Sequence, residues 1–353
     1  MALFEVRDID KKIWEEELRD FLPNKIIDIH THVYKREIIK AAAPENLPKP
    51  KLSWVSIVMN TNPIEDLDET YKLLFPGKEV TPLMFVTGKF GREENNQYLS
   101  GAAKEYGWPA LYYSHPTQSA DEIEEKIRSG GFLGVKSYLT LAPGYLPADE
   151  IRILDFFPKH QLERLNEMGA ICMCHIPRSK RLQDKVNVQQ ILEIKKEFPK
   201  LRFIVAHIGR SYTKEDVGDV FDMLTTAPDT MYDFSANCCD YAIREVIKRC
   251  GVKHLMFGTD MPVLRMRTHR IEENGTYVNL VEPGLYPNPD SDPHLREVSE
   301  EEGKKITFFA YEELLAFKRV AEELNLTRED VEDIMYNNAK NLIDGARRDI
   351  YGE

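Results

Sequence analysis

What most constrains the fold is an alternation that runs along the chain: short apolar runs separated by amphipathic stretches. The runs are "KIIDIHTHV" (25–33), "LSWVSIVMN" (52–60), "TPLMFVTG" (81–88), "GFLGVKSYL" (131–139), "GAICMCHI" (169–176), "LRFIVAHIG" (201–209), "TMYDFSAN" (230–237) and "KHLMFGTD" (253–260). Near-continuous apolar strands belong to parallel sheets covered on both faces, so eight strand-then-helix units predict an α/β (β/α)8 TIM barrel. The intervening helices fall at 64–75, 119–129, 158–168, 187–198, 214–224 and 239–249. The reading is one domain over 1–353, with an N-terminal helix at about 8–20 and a barrel core at about 25–260. Residues 261–305, rich in Pro, Gly, Asn and Asp, read as a long loop insertion or lid after strand 8, and C-terminal helices follow over 305–323 and 328–344.

Composition narrows the partners. Hydrophobic residues make up 42% of the chain and charged residues 30%, enough apolar side chain for a large core. The 47 basic against 59 acidic residues leave a formal charge of −12, which disfavours nucleic acid and anionic membrane and points to a small-molecule substrate. The opening residues lack the basic-then-apolar order of a signal peptide, and no run is long enough to span a bilayer. Five cysteines do not suggest a disulfide framework. The expected location is the cytoplasm, and a homo-oligomer is left open.

In a parallel barrel every strand's C-terminal end opens on one mouth, so a polar residue that closes an apolar run faces the site. Alternation puts Asp28, His30 and His32 on one face of the first strand. His175 closes the fifth, His207 the sixth and Asp260 the eighth, while Cys172 and Cys174 fall on the face opposite His175, so "CMCH" is not a metal cluster. Imidazoles with one carboxylate suit a borderline divalent ion, Zn²⁺ before Mn²⁺, with a coordination position left for water.

These residues carry a resemblance. "DIHTHV", "CMCHIP", "VAHIGR", "FGTDMP" and the helix "VEDIMYNNAKNLI" (331–343) resemble, in this order, the motifs of the amidohydrolase superfamily. The terminal helix is similar to that of the amidohydrolase-related branch, which holds aminocarboxymuconate-semialdehyde decarboxylase and related decarboxylases, hydratases and lactone hydrolases. The resemblance implies that His30, His32, His175 and Asp260 bind one divalent metal, that Asp260 is also the general base, and that His207 is an unligated group that polarises substrate or moves a proton. Lys136 stands at the end of the fourth strand, where other branches carry a carbamylated lysine between two metals. A second ion is expected only if Lys136 is so modified; otherwise Lys136 is a cation for a substrate carboxylate or a member of a structural ion pair.

Arginine's planar fork suits carboxylates. Arg178, Arg210 and Tyr212 after strands five and six, and Arg265 and Arg267 with Arg270 at the start of 261–305, are therefore the expected contacts to a carboxylated substrate. Asn60 and Asn237 read as turn caps, and His115 as a minor candidate. Three functions fit: a metal-dependent hydrolase of a lactone, amide or similar bond, in which His207 steadies the oxyanion; a metal-dependent non-oxidative decarboxylase or hydratase; and a barrel that keeps its metal only for stability. The first is the expectation.

Overall fold

Apolar runs become strands here where both faces reach full burial. In this computed structural model, which describes residues 3–46, 52–227 and 229–353, the strands are β1 (Lys25–His32), β2 (Glu79–Phe85), β3 (Tyr112–Tyr113), β4 (Gly134–Ser137), β5 (Ile171–Cys174), β6 (Arg202–Val205), β7 (Met231–Asp233) and β8 (Leu255–Met256). β1 pairs in parallel with β2, and β3 to β8 form a second parallel series. Backbone bonds join the two groups. Met84 N donates to Pro109 O at 3.0 Å and Leu111 N to Met84 O at 2.8 Å; on the other side Ile29 N donates to Phe257 O at 3.0 Å, Asp260 N to His30 O at 2.8 Å and His32 N to Met261 O at 2.9 Å. The ring is closed, and the chain is a (β/α)8 barrel with its helices outside.

Two strand expectations change. Residues 52–60 do not form a strand: they carry the short helix Trp54–Val58, whose first turn is capped by reciprocal bonds between Ser53 and Ser56. Its apolar side chains divide: Leu52, Val55 and Ile57 are exposed, whereas Trp54, Val58 and Met59 pack half-buried against the core. The third strand is instead Tyr112–Tyr113, two residues long and fully buried. A helix that was not expected, Arg92–Tyr106, links β2 to β3. The helix expected at 214–224 is split into Lys214–Val217 and Phe221–Leu224 around Gly218.

The insertion is not an unstructured loop. It holds β9 (His269–Glu273) and β10 (Thr276–Val281), antiparallel and joined by Asn274 and Gly275 at φ 52° and 72°, with β11 (Leu295–Glu297) alongside β10. Positive φ at both turn residues is what an Asn-Gly pair supplies in a two-residue hairpin. The sheet is clamped to the barrel by stacking: the Arg270 guanidinium lies 5.1 Å from the Tyr212 ring, 4.4 Å from Tyr277 and 4.3 Å from Phe309, and Arg181 covers Tyr212 and Tyr277 at 5.1 and 5.2 Å. Such contacts add about 0.5–2 kcal/mol each.

Beyond the insertion come the helices Phe309–Glu323, Arg328–Glu332 and Asn338–Tyr351, the last two bridged by a wider turn over Asp333–Asn337. This terminal element latches β8. The Asn338 amide donates to Val252 O at 2.9 Å and Leu255 O at 2.8 Å, and Ile334 O accepts from Phe257 N at 3.0 Å. Asn338→Ala strips the donors from two carbonyls and is expected to cost about 2 kcal/mol, read as a lower urea midpoint with an unchanged slope.

Candidate metal centre

The site starts on β1, whose Asp28, His30 and His32 share one face. Asp28 is fully buried and accepts from His30 N at 3.2 Å, Thr259 N at 2.8 Å and the Tyr71 hydroxyl at 2.8 Å. Burial outweighs these bonds and raises its carboxyl to about 7. Asp28 therefore seals the joint between β1 and β8, while the histidines above it turn to the mouth.

Asp260, at φ 56°, meets them there: its Oδ1 is 3.0 Å from His32 Nε2 and 3.5 Å from His30 Nε2. Gly258 allows this approach, because a Cβ at that position would sit 2.9 Å from His30 Cβ and 3.2 Å from Ser235 Cβ. His207 opens a left-handed turn in which His207, Ile208, Gly209 and Arg210 have φ 57°, 48°, 62° and 63°. Each non-glycine residue there costs about 1–2 kcal/mol, a strain typical of functional sites. The turn places the His207 ring 4.6 Å from the His30 ring. One donor atom from each of His30, His207 and Asp260 lies within 4.8 Å of the others. His175 stands one ring further out, 5.1 Å from His207 and 4.8 Å from Tyr138 between centroids. The structure thus gathers His30, His32, His207 and Asp260 most closely, with His175 beside them.

Burial lowers the pKa of all four imidazoles, to about 4 for His207, so they are neutral bases at pH 7. Burial alone would raise Asp260, but the His32 hydrogen bond and the pull of His207 and His30 hold it well below the usual carboxylate range. Neutral imidazoles beside an ionised carboxylate are the protonation states a divalent ion requires. Two ring nitrogens, His30 Nε2 and His32 Nδ1, are buried without a hydrogen-bond partner among the described residues, and the first faces Asp260. These residues fit a cation.

Lys136, 1% exposed, has its ammonium 5.0 Å from the centre of the Phe85 ring, and Phe85 packs on both β1 histidines. Burial lowers its pKa, and Asp233 and Asp260 oppose that shift. Asp233 and Ser235, in "YDFSAN", were missed from sequence. Asp233 is fully buried at the end of β7 and accepts from His30 Nδ1 at 3.1 Å, His207 N at 2.9 Å, Ser235 N at 3.2 Å and the Ser235 hydroxyl. The signal was present: an aspartate closing an apolar run, with a serine two residues on.

The expected substrate contacts divide. Arg210 gives Nη1 to Pro177 O and Arg178 O, both at 3.2 Å, and no other bond of its guanidinium is made among the described residues. Arg178 pairs with Asp184 at 2.9 Å. Tyr212 is half-buried, stacked between Arg181 and Arg270. Arg265 and Arg267 are corrected to structural roles. Arg265 bonds Thr70 through Nε and Asn62 and Asp66 O through Nη2, and Arg267 bonds Asp10, Glu5 O and Ile306 O. Asn60 follows the helix Trp54–Val58 rather than a strand, and Asn237 caps its turn as expected, bonding Ser211 O at 2.9 Å and Cys239 N at 2.9 Å. Cys172 and Cys174 are buried, and burial pushes the Cys174 thiol up to about 12. Arg267→Ala, which strands the Asp10 carboxylate in the interior, is expected to cost about 3–5 kcal/mol by urea unfolding while the folded fraction keeps wild-type cation binding.

Comparison with known proteins bears on the family and the fold. The sequence model of the amidohydrolase family matches residues 27–344. Solved structures share the fold at low identity. The 5-carboxyvanillate decarboxylase of Sphingomonas paucimobilis is 12% identical, with 91% of this chain and 99% of that one covered and a TM-score of 0.52. A dihydroxybenzoic acid decarboxylase of Polaromonas sp. JS666, with bound manganese and 2-nitroresorcinol, is 13% identical over 91% and 97% at 0.54. A Pseudomonas putida protein assigned as a 2-pyrone-4,6-dicarboxylic acid hydrolase is 16% identical over 92% and 99% at 0.51. No curated protein matches in sequence.

Proposed function

The chain belongs to the amidohydrolase family, a family of metal-dependent enzymes, and on that footing we propose that it is a cytoplasmic metal-dependent hydrolase of a small carboxylated substrate, such as a lactone or amide. The observation that carries the reading is His30 Nε2, buried without a partner and 3.5 Å from Asp260 Oδ1. Leaving such an atom unfilled costs about 1–3 kcal/mol, and a cation removes that cost. The proposed ion is one Zn²⁺, with Mn²⁺ as the substitute, held by His30, His32, Asp260 and a fourth donor. The family pattern supports His175 for the fourth place, and the closeness of His207 to His30 and Asp260 supports His207. When bound, the ion supplies a Lewis acid and lowers the pKa of water. A second ion is part of the reading only if Lys136 is carbamylated.

The chain's own groups do the remaining work. Asp260 receives a proton on its carboxylate. Lys136 and the unengaged donors of Arg210 hold the substrate carboxylate, with Arg178 and Tyr212 lining the approach. Phe85, packed at 4.9 and 4.8 Å on the His30 and His32 rings, keeps bulk water from the donors. A second reading, a non-oxidative decarboxylase or hydratase, draws on the decarboxylases among the fold's neighbours and on Lys136, a buried ammonium able to hold a carboxylate or enolate. No helix among the described residues is long and apolar enough to cross a membrane. The proposed partner is a small molecule rather than nucleic acid or lipid, with self-association left to measurement.

Purified protein is expected to carry about one equivalent of Zn²⁺ or Mn²⁺ by elemental analysis; two equivalents would assign a carbamylated Lys136. Cation content of His175→Ala and His207→Ala identifies the fourth ligand as the one whose loss empties the site. Asp260→Asn is expected to stay folded and lose about 10²-fold or more in turnover. In a screen of carboxylated lactones against hydroxylated aromatic and dienoic acids, acid release without carbon dioxide supports hydrolysis, and carbon dioxide release supports the lyase.

A further inference from the structure

The Nδ1 of His30 and of His207 each lies within hydrogen-bond reach of an atom that can only accept, whereas His30 Nε2, 3.5 Å from Asp260 Oδ1, makes no hydrogen bond among the described residues. His30 Nδ1 is 3.1 Å from the Asp233 carboxylate. His207 Nδ1 is 3.0 Å from Ser235 O and 2.8 Å from Ser235 Oγ. The Ser235 hydroxyl has one proton, and its short contact to Asp233 Oδ1 takes it, so Oγ also accepts from His207. Asp233 ties the pair together: Oδ2 faces His30, while Oδ1 accepts from His207 N, Ser235 N and Ser235 Oγ.

We propose that Asp233 is the positioning residue of the site, holding His30 directly, and His207 through Ser235, as Nδ1–H tautomers that turn bare Nε2 atoms into the mouth. The arrangement matches the general use of a carboxylate to fix a ligating imidazole's proton and orientation. The proposal also bears on the role expected of His207. A neutral His207 with its proton on Nδ1 has only a lone pair at Nε2, so it serves as a ligand or proton acceptor and not as the hydrogen-bond donor that steadies an oxyanion. His32 has no such backing: its Nδ1 is buried without a partner, and its Nε2 bonds Asp260. Of the two β1 histidines, His30 is the one set in advance.

The proposal rests on the metal-site reading only for what the Nε2 atoms receive; the tautomers stand without an ion. Long-range ¹H–¹⁵N spectra of metal-stripped, ¹⁵N-histidine-labelled protein, assigned with His30→Gln and His207→Gln, are expected to show both rings as Nδ1–H. An Nε2–H signal for either overturns the proposal even if the enzyme proves to be metal-dependent. Asp233→Asn is nearly isosteric: its carbonyl keeps the three donors on the His207 side and turns an amide toward His30. That amide forces His30 to the Nε2–H form and is expected to weaken Co²⁺ binding, by competition against a chelator, about 10–100-fold at unchanged thermal midpoint. Wild-type affinity in that variant would refute the assignment. Ser235→Ala, which keeps the Ser235 carbonyl, is expected to leave His207 as Nδ1–H, and a shift of its proton to Nε2 would overturn the part assigned to the carbonyl. Should Asp233→Asn fail to fold, the spectra of the unsubstituted protein decide alone.

Discussion

The site depends on one seam. Where β8 returns to β1, bonds from Asp260 N to His30 O and from His32 N to Met261 O set the height of one strand end against the other. Because alternating strand residues face opposite sides, a slip of one residue at this seam would turn Asp260 away from both histidines. Asp28 locks the register from below with its bonds to Thr259 and Tyr71, and Gly258 leaves space for the two backbones to come together. The side chains that converge are thus consequences of a backbone register, as expected for a barrel whose strands all end at one rim.

The rim was legible in the sequence because its signal is local. A histidine or aspartate that ends an apolar run needs no distant partner to be noticed, and His30, His32, His175, His207 and Asp260 were all found this way. Distance hid the arginines. Arg267 has the same neighbours in sequence as a substrate clamp, and nothing nearby announces that its carboxylate is Asp10, 257 positions away. Burial was hidden too. "LSWVSIVMN" is as apolar as a strand, but a pair of serines one turn apart offers a helical cap, and Leu52, Val55 and Ile57 end in solvent. β3 has too few residues to display any period. The β9–β10 hairpin was legible in "EENGTY" and was overlooked because the surrounding Pro and Asp residues suggested a loop.

Charge is distributed against the grain of the whole molecule. A chain with twelve excess negative charges places a buried lysine beside the two carboxylates of its centre, and Arg178 and Arg210, after β5 and β6, keep spare donors among the described residues. The imidazoles stay neutral because burial makes their charged forms expensive. The left-handed turn at 207–210 stores strain that the surrounding core must offset, with Gly209 set close against Ile176 and Leu182. Rigidity at the rim and generous packing below it are two sides of one arrangement.

The Asn338 latch has a bearing on how the molecule is made. β8 is held from beneath by residues translated long after it, so on the ribosome the eighth strand emerges before the group that fastens it. Domains fold from the N-terminus during synthesis, and here the first seven strands can assemble while the ring stays open at β8. A nascent chain stalled short of Asn338 therefore lacks the amide that fastens β8, the strand that leads to Asp260.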